Sequence, residues 1–236
     1  MTAEGHETGA GGTAAEPVKT FAALPSRPDD GRALFAGCLE DVIRVVGLGI
    51  ADDEEPGERR ARERRARTAL REACLRGMNL SEEAFDALIK AAVHDPDPSF
   101  NRQFVEPALN AFGQGRVQSA LLGYLRTGTN PQRAGAARAW YWSALPPRMP
   151  HVRAQDPGAA GRAKPDHVAD DWYGTALREF VANEDLDVRR CLLPGLPLRK
   201  SAYPPELHDL VDAAVATARS HPDEYIRQRV EHQVGD

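Results

Sequence analysis

Three aromatic residues in a row, Trp140, Tyr141 and Trp142, follow closely on Arg138. Indole and guanidinium side chains are the ones most enriched at the energetic centres of protein interfaces. On a helix the three rings spread over about 200°, so they cannot all face one core. Trp140 and Tyr141 share the stripe of Ala137 and Ala144. Trp142 lies away from it, four residues after Arg138, a spacing that suits a cation–π pair. Trp172 and Tyr173 come later in the chain and are placed to close the same region. The other reactive side chains are scattered. His94 and His221 fall in breaks between apolar stretches, where capping or solvent exposure is expected. His208 and Asp212 are one helical turn apart, but two ligands on one exposed face are a weak metal signal. Cys38, Cys74 and Cys191 are far apart and sit in apolar patterns without CxxC spacing, so they are expected as buried thiols in a reducing compartment. The chain has no HExxH, GxSxG, P-loop or Rossmann fingerprint. This inventory leans away from an enzyme and gives no reason to expect a cofactor or a metal.

Composition narrows the elements that must hold these groups. The 236 residues include 37 alanines and 26 arginines but only 4 lysines. Such a chain, poor in β-branched residues, favours helix. The formal net charge of -5 gives no general pull toward nucleic acid or an anionic membrane. The most apolar segment, Val42 to Ala51, is interrupted by Arg44 and is far short of the roughly 20 apolar residues that cross a bilayer. The N-terminus lacks a basic region followed by an apolar one, so the expected location is cytoplasmic. Residues 1–30 are rich in Gly, Ala, Thr, Glu and Pro and are expected as a disordered tail.

From Gly31 onward apolar residues recur at three- and four-residue spacing, as on one face of a helix. Leu34, Phe35, Cys38, Leu39, Val42, Val45 and Val46 form the first such stripe. A helix over about 57–76 carries Arg59, Arg60, Arg62, Arg64, Arg65 and Arg67, expected to pair within their own helix as Glu58–Arg62 and Glu63–Arg67. Further stripes follow, separated by turns rich in Pro, Asp and Asn. Pro56, Pro96, Pro131, Asp185 and Pro222 mark those turns, at intervals of roughly 40, 35, 54 and 37 residues, and a repeat of this length with two helices is a helical hairpin. The long interval contains an insertion, 146–169, with five prolines and a basic lean. A loop this long inside a compact domain is usually functional.

Two turn segments, Asn183-Glu184-Asp185-Leu186-Asp187-Val188-Arg189-Arg190 and His221-Pro222-Asp223-Glu224-Tyr225-Ile226-Arg227, resemble the HEAT repeat pattern of an acidic or proline turn, an aliphatic residue, then arginine. Asp95-Pro96-Asp97-Pro98-Ser99-Phe100-Asn101-Arg102 is a looser copy, and Asn130-Pro131-Gln132-Arg133 a weaker one. The resemblance covers 31–236 with degenerate motifs. It implies an all-α fold, an α-solenoid of about five antiparallel helical hairpins interrupted by the loop at 146–169. It also implies that Arg189 and Arg227 pair with an acid of a neighbouring unit. Pro107, Pro194 and Pro197 depart from the pattern, because proline inside a helix removes a hydrogen bond and crowds the preceding turn.

The expected function is a non-catalytic protein–protein interaction scaffold or adaptor. It would use the second helices and the basic insertion to meet a protein with an acidic surface. The expected partner-binding residues are Arg138, Trp142, Arg189, Arg190 and Arg227. The alternative is a nucleic-acid-binding protein, since some HEAT-like proteins are DNA alkyl-base glycosylases with Trp, Asp and Arg on second helices. Trp140, Trp142 and Arg189 match that set in type, but no carboxylate is placed beside them.

Overall fold

The computed structural model describes residues 31–51, 59–145 and 165–234. The expected tail at 1–30, the acidic turn at 52–58 and residues 146–164 of the expected insertion lie outside these. Among the described residues there are ten α-helices and no strand: α1 Gly31–Val46, α2 Arg59–Leu75, α3 Glu82–His94, α4 Arg102–Phe112, α5 Gln114–Thr127, α6 Asn130–Ala144, α7 Pro165–Ala182, α8 Leu186–Leu192, α9 His208–Arg219 and α10 Glu224–Val234. Three short 3₁₀ turns link α8 to α9.

The starts of these helices follow from local side-chain chemistry. Ser81 Oγ accepts from the Ala84 N–H at 3.2 Å at the start of α3. Asp185 and Asp223 do the same for Val188 and Ile226 at the starts of α8 and α10. Each satisfies an N–H that the helix itself leaves without a partner. At α6 the Thr129 N–H donates to Gln132 Oε1 at 2.9 Å, half of a capping box. Helix α7 begins inside the expected insertion, at Pro165, a residue suited to a first helical position. Pro107 lies inside α4, which continues past it to Phe112. Pro194 follows the end of α8, which is cut to seven residues and gives way to 3₁₀ geometry.

An arginine stands four residues after three of these caps. Arg133 Nε donates to the Leu125 carbonyl at 3.2 Å. Arg189 donates to Phe180 and Val181 carbonyls at 3.2 and 3.4 Å. Arg227 Nη1 donates to the His221 and Pro222 carbonyls. Each cation ties its helix to carbonyls that the preceding helix end or turn leaves over. The expectation that Arg189 and Arg227 pair with a neighbouring acid is therefore corrected: they meet backbone. The charged pair that joins two helices is one residue on, where Arg190 of α8 grips Asp223 at the start of α10 through both oxygens.

The helices touch in a regular order. Each of α1–α2, α3–α4, α5–α6, α7–α8 and α9–α10 is a contacting pair. The first members touch along the chain, α1 to α3 to α5 to α7 to α9, and so do the second, α2 to α4 to α6 to α8 to α10. Helix α6 also packs on α3. Its residues Ala134 through Trp140 are all buried, so it has no polar face over two turns. The approach to α3 is close at Gly135, where a Cβ would stand 1.8 Å from the Val93 carbonyl oxygen. The alanines on these helices are what lets the layers come so near.

The arginines of α2 also settle differently from the expected pattern. Arg62 reaches out of its helix to Glu40 of α1 at 2.8 and 2.6 Å. Arg67 is buried and lies 2.8 Å from Asp95, in the turn after α3. Arg67 thus meets the turn after α3 rather than Glu63 of its own helix, and the expected Glu58–Arg62 pair lies outside the described residues.

Candidate binding site

Helix α6 carries the aromatic cluster, and its neighbours sort it. Trp140 is buried and stacks parallel on Trp172 of α7, with ring centroids 4.1 Å apart. Tyr173 meets Trp140 edge-on at 6.4 Å. Trp142 is half-buried and its indole N–H donates to the Pro98 carbonyl at 3.2 Å. The cation over its ring is Arg102 of α4, at 5.0 Å, not Arg138. An i,i+4 pair needs one open helix face, and α6 has none at Arg138. Tyr141 is 46% exposed and packs edge-on against Trp142 at 5.1 Å.

Arg138 turns inward, with a side chain only 2% exposed. Its Nη1 lies 3.7 Å from Cys191 Sγ and 3.9 Å from Asp187 Oδ1. Its Nε and Nη2 are buried and have no hydrogen-bond partner among the described residues. Those two atoms form one edge of the guanidinium, the side-on fork that grips a carboxylate through two parallel bonds. Arg138 lines a cavity of about 290 Å³. Its walls are Trp140, Trp142 and Trp172, with Tyr225 and Arg229 from α10, and the 3₁₀ turn at Pro194 closes one side. No carboxylate is among the lining residues. Burial pushes the Tyr225 phenol above its ordinary value, so it remains neutral.

Of the five expected partner-binding residues, Arg138 and Trp142 therefore share one cavity. Arg189, Arg190 and Arg227 are not among its lining residues. The Arg190 hydrogen bond holds the Asp223 carboxyl below its usual range, and Asp223 raises Arg190 in turn. Arg102 and Arg229 were not singled out by sequence. Arg102 had a signal, because it ends the Asp95–Arg102 copy of the turn motif. Arg229 had none, since only the packing of α10 beside α8 brings it to the cavity.

A second cavity, of about 450 Å³, lies beside α2 and the α3–α4 turn and is lined by Arg60, Arg64, Arg67 and Asp95 among others. Asp95 is fully buried. Its carboxylate is close to Arg67 in distance but is not aligned with it as a hydrogen bond. Burial pushes the Asp95 carboxyl up, against the downward pull of Arg67. The Arg67 guanidinium also donates to the Phe100 carbonyl and sits 4.8–5.4 Å from the centroids of Phe35, Phe100 and Phe104.

His221 is buried, and its Nδ1 accepts from the Asp223 N–H at 3.0 Å, the capping role of the two expected rather than exposure. Burial lowers its pKa, and Arg189, Arg190 and Arg227 lower it further while Asp223 opposes them. The folded state thus holds the proton less well than the unfolded chain. Stability from this site is complete above the unfolded value near ~6.5 and falls as pH drops through it toward the folded value. His221→Asn, which keeps an acceptor but does not titrate, is expected to flatten the stability profile between about pH 5 and 7 in urea titrations. An unchanged slope would assign the pH dependence elsewhere.

His208 faces the Tyr203 carbonyl at 3.1 Å and Asp212 faces Lys200 at 2.7 Å, so the two do not converge. Among the described residues no group of three or more His, Cys, Asp or Glu is arranged to hold a metal. All three cysteines are buried, and burial pushes the Cys74 thiol up to about 11. No helix among the described residues is long and apolar enough to cross a membrane. No family model, no curated protein and no solved structure matches this chain.

Proposed function

We propose that the chain is a non-catalytic, cytoplasmic interaction protein, a scaffold or adaptor built as a HEAT-like α-solenoid of five helical hairpins. The contact order of the helices supports the hairpin reading, because units that touch only their neighbours give such a succession. The observation that carries the function is the cluster on α4 and α6. Tyr141 offers an exposed ring that packs on Trp142, whose own ring is covered by Arg102. A large ring fixed on one side and open on the other loses little entropy on docking. The insertion begins directly after this helix and adds basic residues suited to an acidic partner. In this reading Arg138 and Trp142 belong to the anchor, and Arg189, Arg190 and Arg227 hold the helices that frame it. Base excision is less well supported, since the aromatic cavity has no carboxylate in its lining to act as acid or base.

Site-specific photo-crosslinking tests the proposal. A benzophenone side chain at Tyr141 is expected to give one discrete protein adduct in extract of the native cell. The same group at Ala216, exposed on α9, is expected to give none. No adduct at Tyr141, or equal adducts at both positions, overturns it.

A further inference from the structure

We propose that the cavity between α6, α7, α8 and α10 binds a small aromatic carboxylate, with its carboxylate on the Nε–Nη2 edge of Arg138 and its ring among Trp140, Trp172 and Tyr225. The cavity adjoins the docking surface, since Tyr141 and Trp142 line both, but a small ligand inside it and a protein on the exposed ring are read by different experiments, so either reading can fail alone.

Three observations converge on this ligand. The first is the fork itself. Arg138 keeps Nη1 toward Asp187 and Cys191, yet both atoms of its side-on edge are buried without an acceptor. Leaving charged donors dry and unmatched is costly, and a planar pair of carboxylate oxygens is the group whose geometry fits that edge. The second is the charge balance. The lining contains two guanidinium groups, Arg138 and Arg229, and no carboxylate. Arg229 Nη2 reaches only the Pro194 carbonyl, at 3.4 Å, and its Nε has no partner among the described residues. A monoanion is therefore drawn in and a cation is repelled. The third is the wall. Three indoles, two phenols and prolines leave few polar groups beyond the two arginines. An aromatic ring matches such a wall. A phosphate matches it less well, because its oxygens point in every direction and most of the wall is indole and phenol ring. At about 290 Å³ the cavity is at the small end of ligand pockets, which suits one ring or two fused rings.

The chain supplies its own probe. All three of its tryptophans line this cavity, so their indole N–H signals in a nitrogen-correlated NMR spectrum report its occupancy. Benzoate is expected to shift the Trp140 and Trp172 signals saturably, with a Kd on the order of 1 mM or tighter. Benzamide has the same shape without the charge and is expected to bind at least about tenfold more weakly. Cyclohexanecarboxylate, charged but not planar, is expected to fall between them. Arg138→Gln is expected to lose the preference for benzoate over benzamide. Should that variant fail to fold, the three-ligand comparison on the wild-type protein decides alone. Absence of saturation by about 20 mM benzoate, or equal binding of benzamide, overturns the proposal.

Discussion

Asp95→Ala is expected to destabilise the fold by about 3–5 kcal/mol, seen as a lower urea midpoint with an unchanged slope. The carboxylate is fully buried, and so is the Arg67 side chain that faces it, at 8% exposure. Without Asp95 the guanidinium keeps only the Phe100 carbonyl and the faces of three phenylalanines. Those rings attract a cation, but they do not replace its hydration or its counter-charge. The same change removes the acceptor for the Asp97 N–H, bound at 3.0 Å, which shapes the turn between α3 and α4. Asp95→Asn retains an acceptor at that position and loses only the charge, so a smaller loss is expected. A double variant with Arg67→Met should recover part of the deficit, because removing both ends of a buried pair costs less than removing one. No recovery would mean that Asp95 acts through the turn alone.

Gly135→Ala is expected to cost about 3 kcal/mol, at the upper end of what one added methyl does in a packed core. Its Cβ would overlap the Val93 carbonyl oxygen and carbon, at 1.8 and 2.8 Å. Backbone on both sides leaves no side-chain rotation to relieve the clash, so α3 and α6 must separate. Gly123→Ala is the matched control. It lies in α5 with nothing within 4 Å of its ideal Cβ, and there alanine is expected to add about 0.5–1 kcal/mol through helix propensity alone. Thermal and urea unfolding of the two variants should therefore move in opposite directions. A neutral Gly135→Ala would show that the two helices are not held at this distance in solution.

These cases show how far the chain could be read from its residues. Turn positions were legible because capping is local: Ser81, Asp185 and Asp223 act within three residues of themselves. The apolar stripes of α1 and α3 were legible because each helix has one wet face. Helix α6 was not, because a stripe presumes a polar side, and here Arg138 is enclosed with the alanines. Gly135 carried no signal, since its role depends on a carbonyl of another helix. The cluster of Trp140 and Trp142 was visible as chemistry, and Trp172 was placed near it. That Trp172 lies flat on Trp140, or that Arg229 joins them, depends on packing across distant segments. The arginines were read as pairing along their own helix or with neighbouring acids. Carbonyls left over at the preceding helix end or turn took up Arg189 and Arg227, and the buried Asp95 took up Arg67.

The enclosure of α6 also bears on how the molecule comes apart. Helices packed against few others can open while the rest of a fold stays closed. Helix α6 touches α3, α4, α5 and α8 at once, so opening it disturbs helices both before and after it in the chain. Slowest amide exchange should therefore concentrate in the middle of the chain and fall away toward α1 and α10. The central helix then acts as the clasp that joins two halves into one cooperative unit.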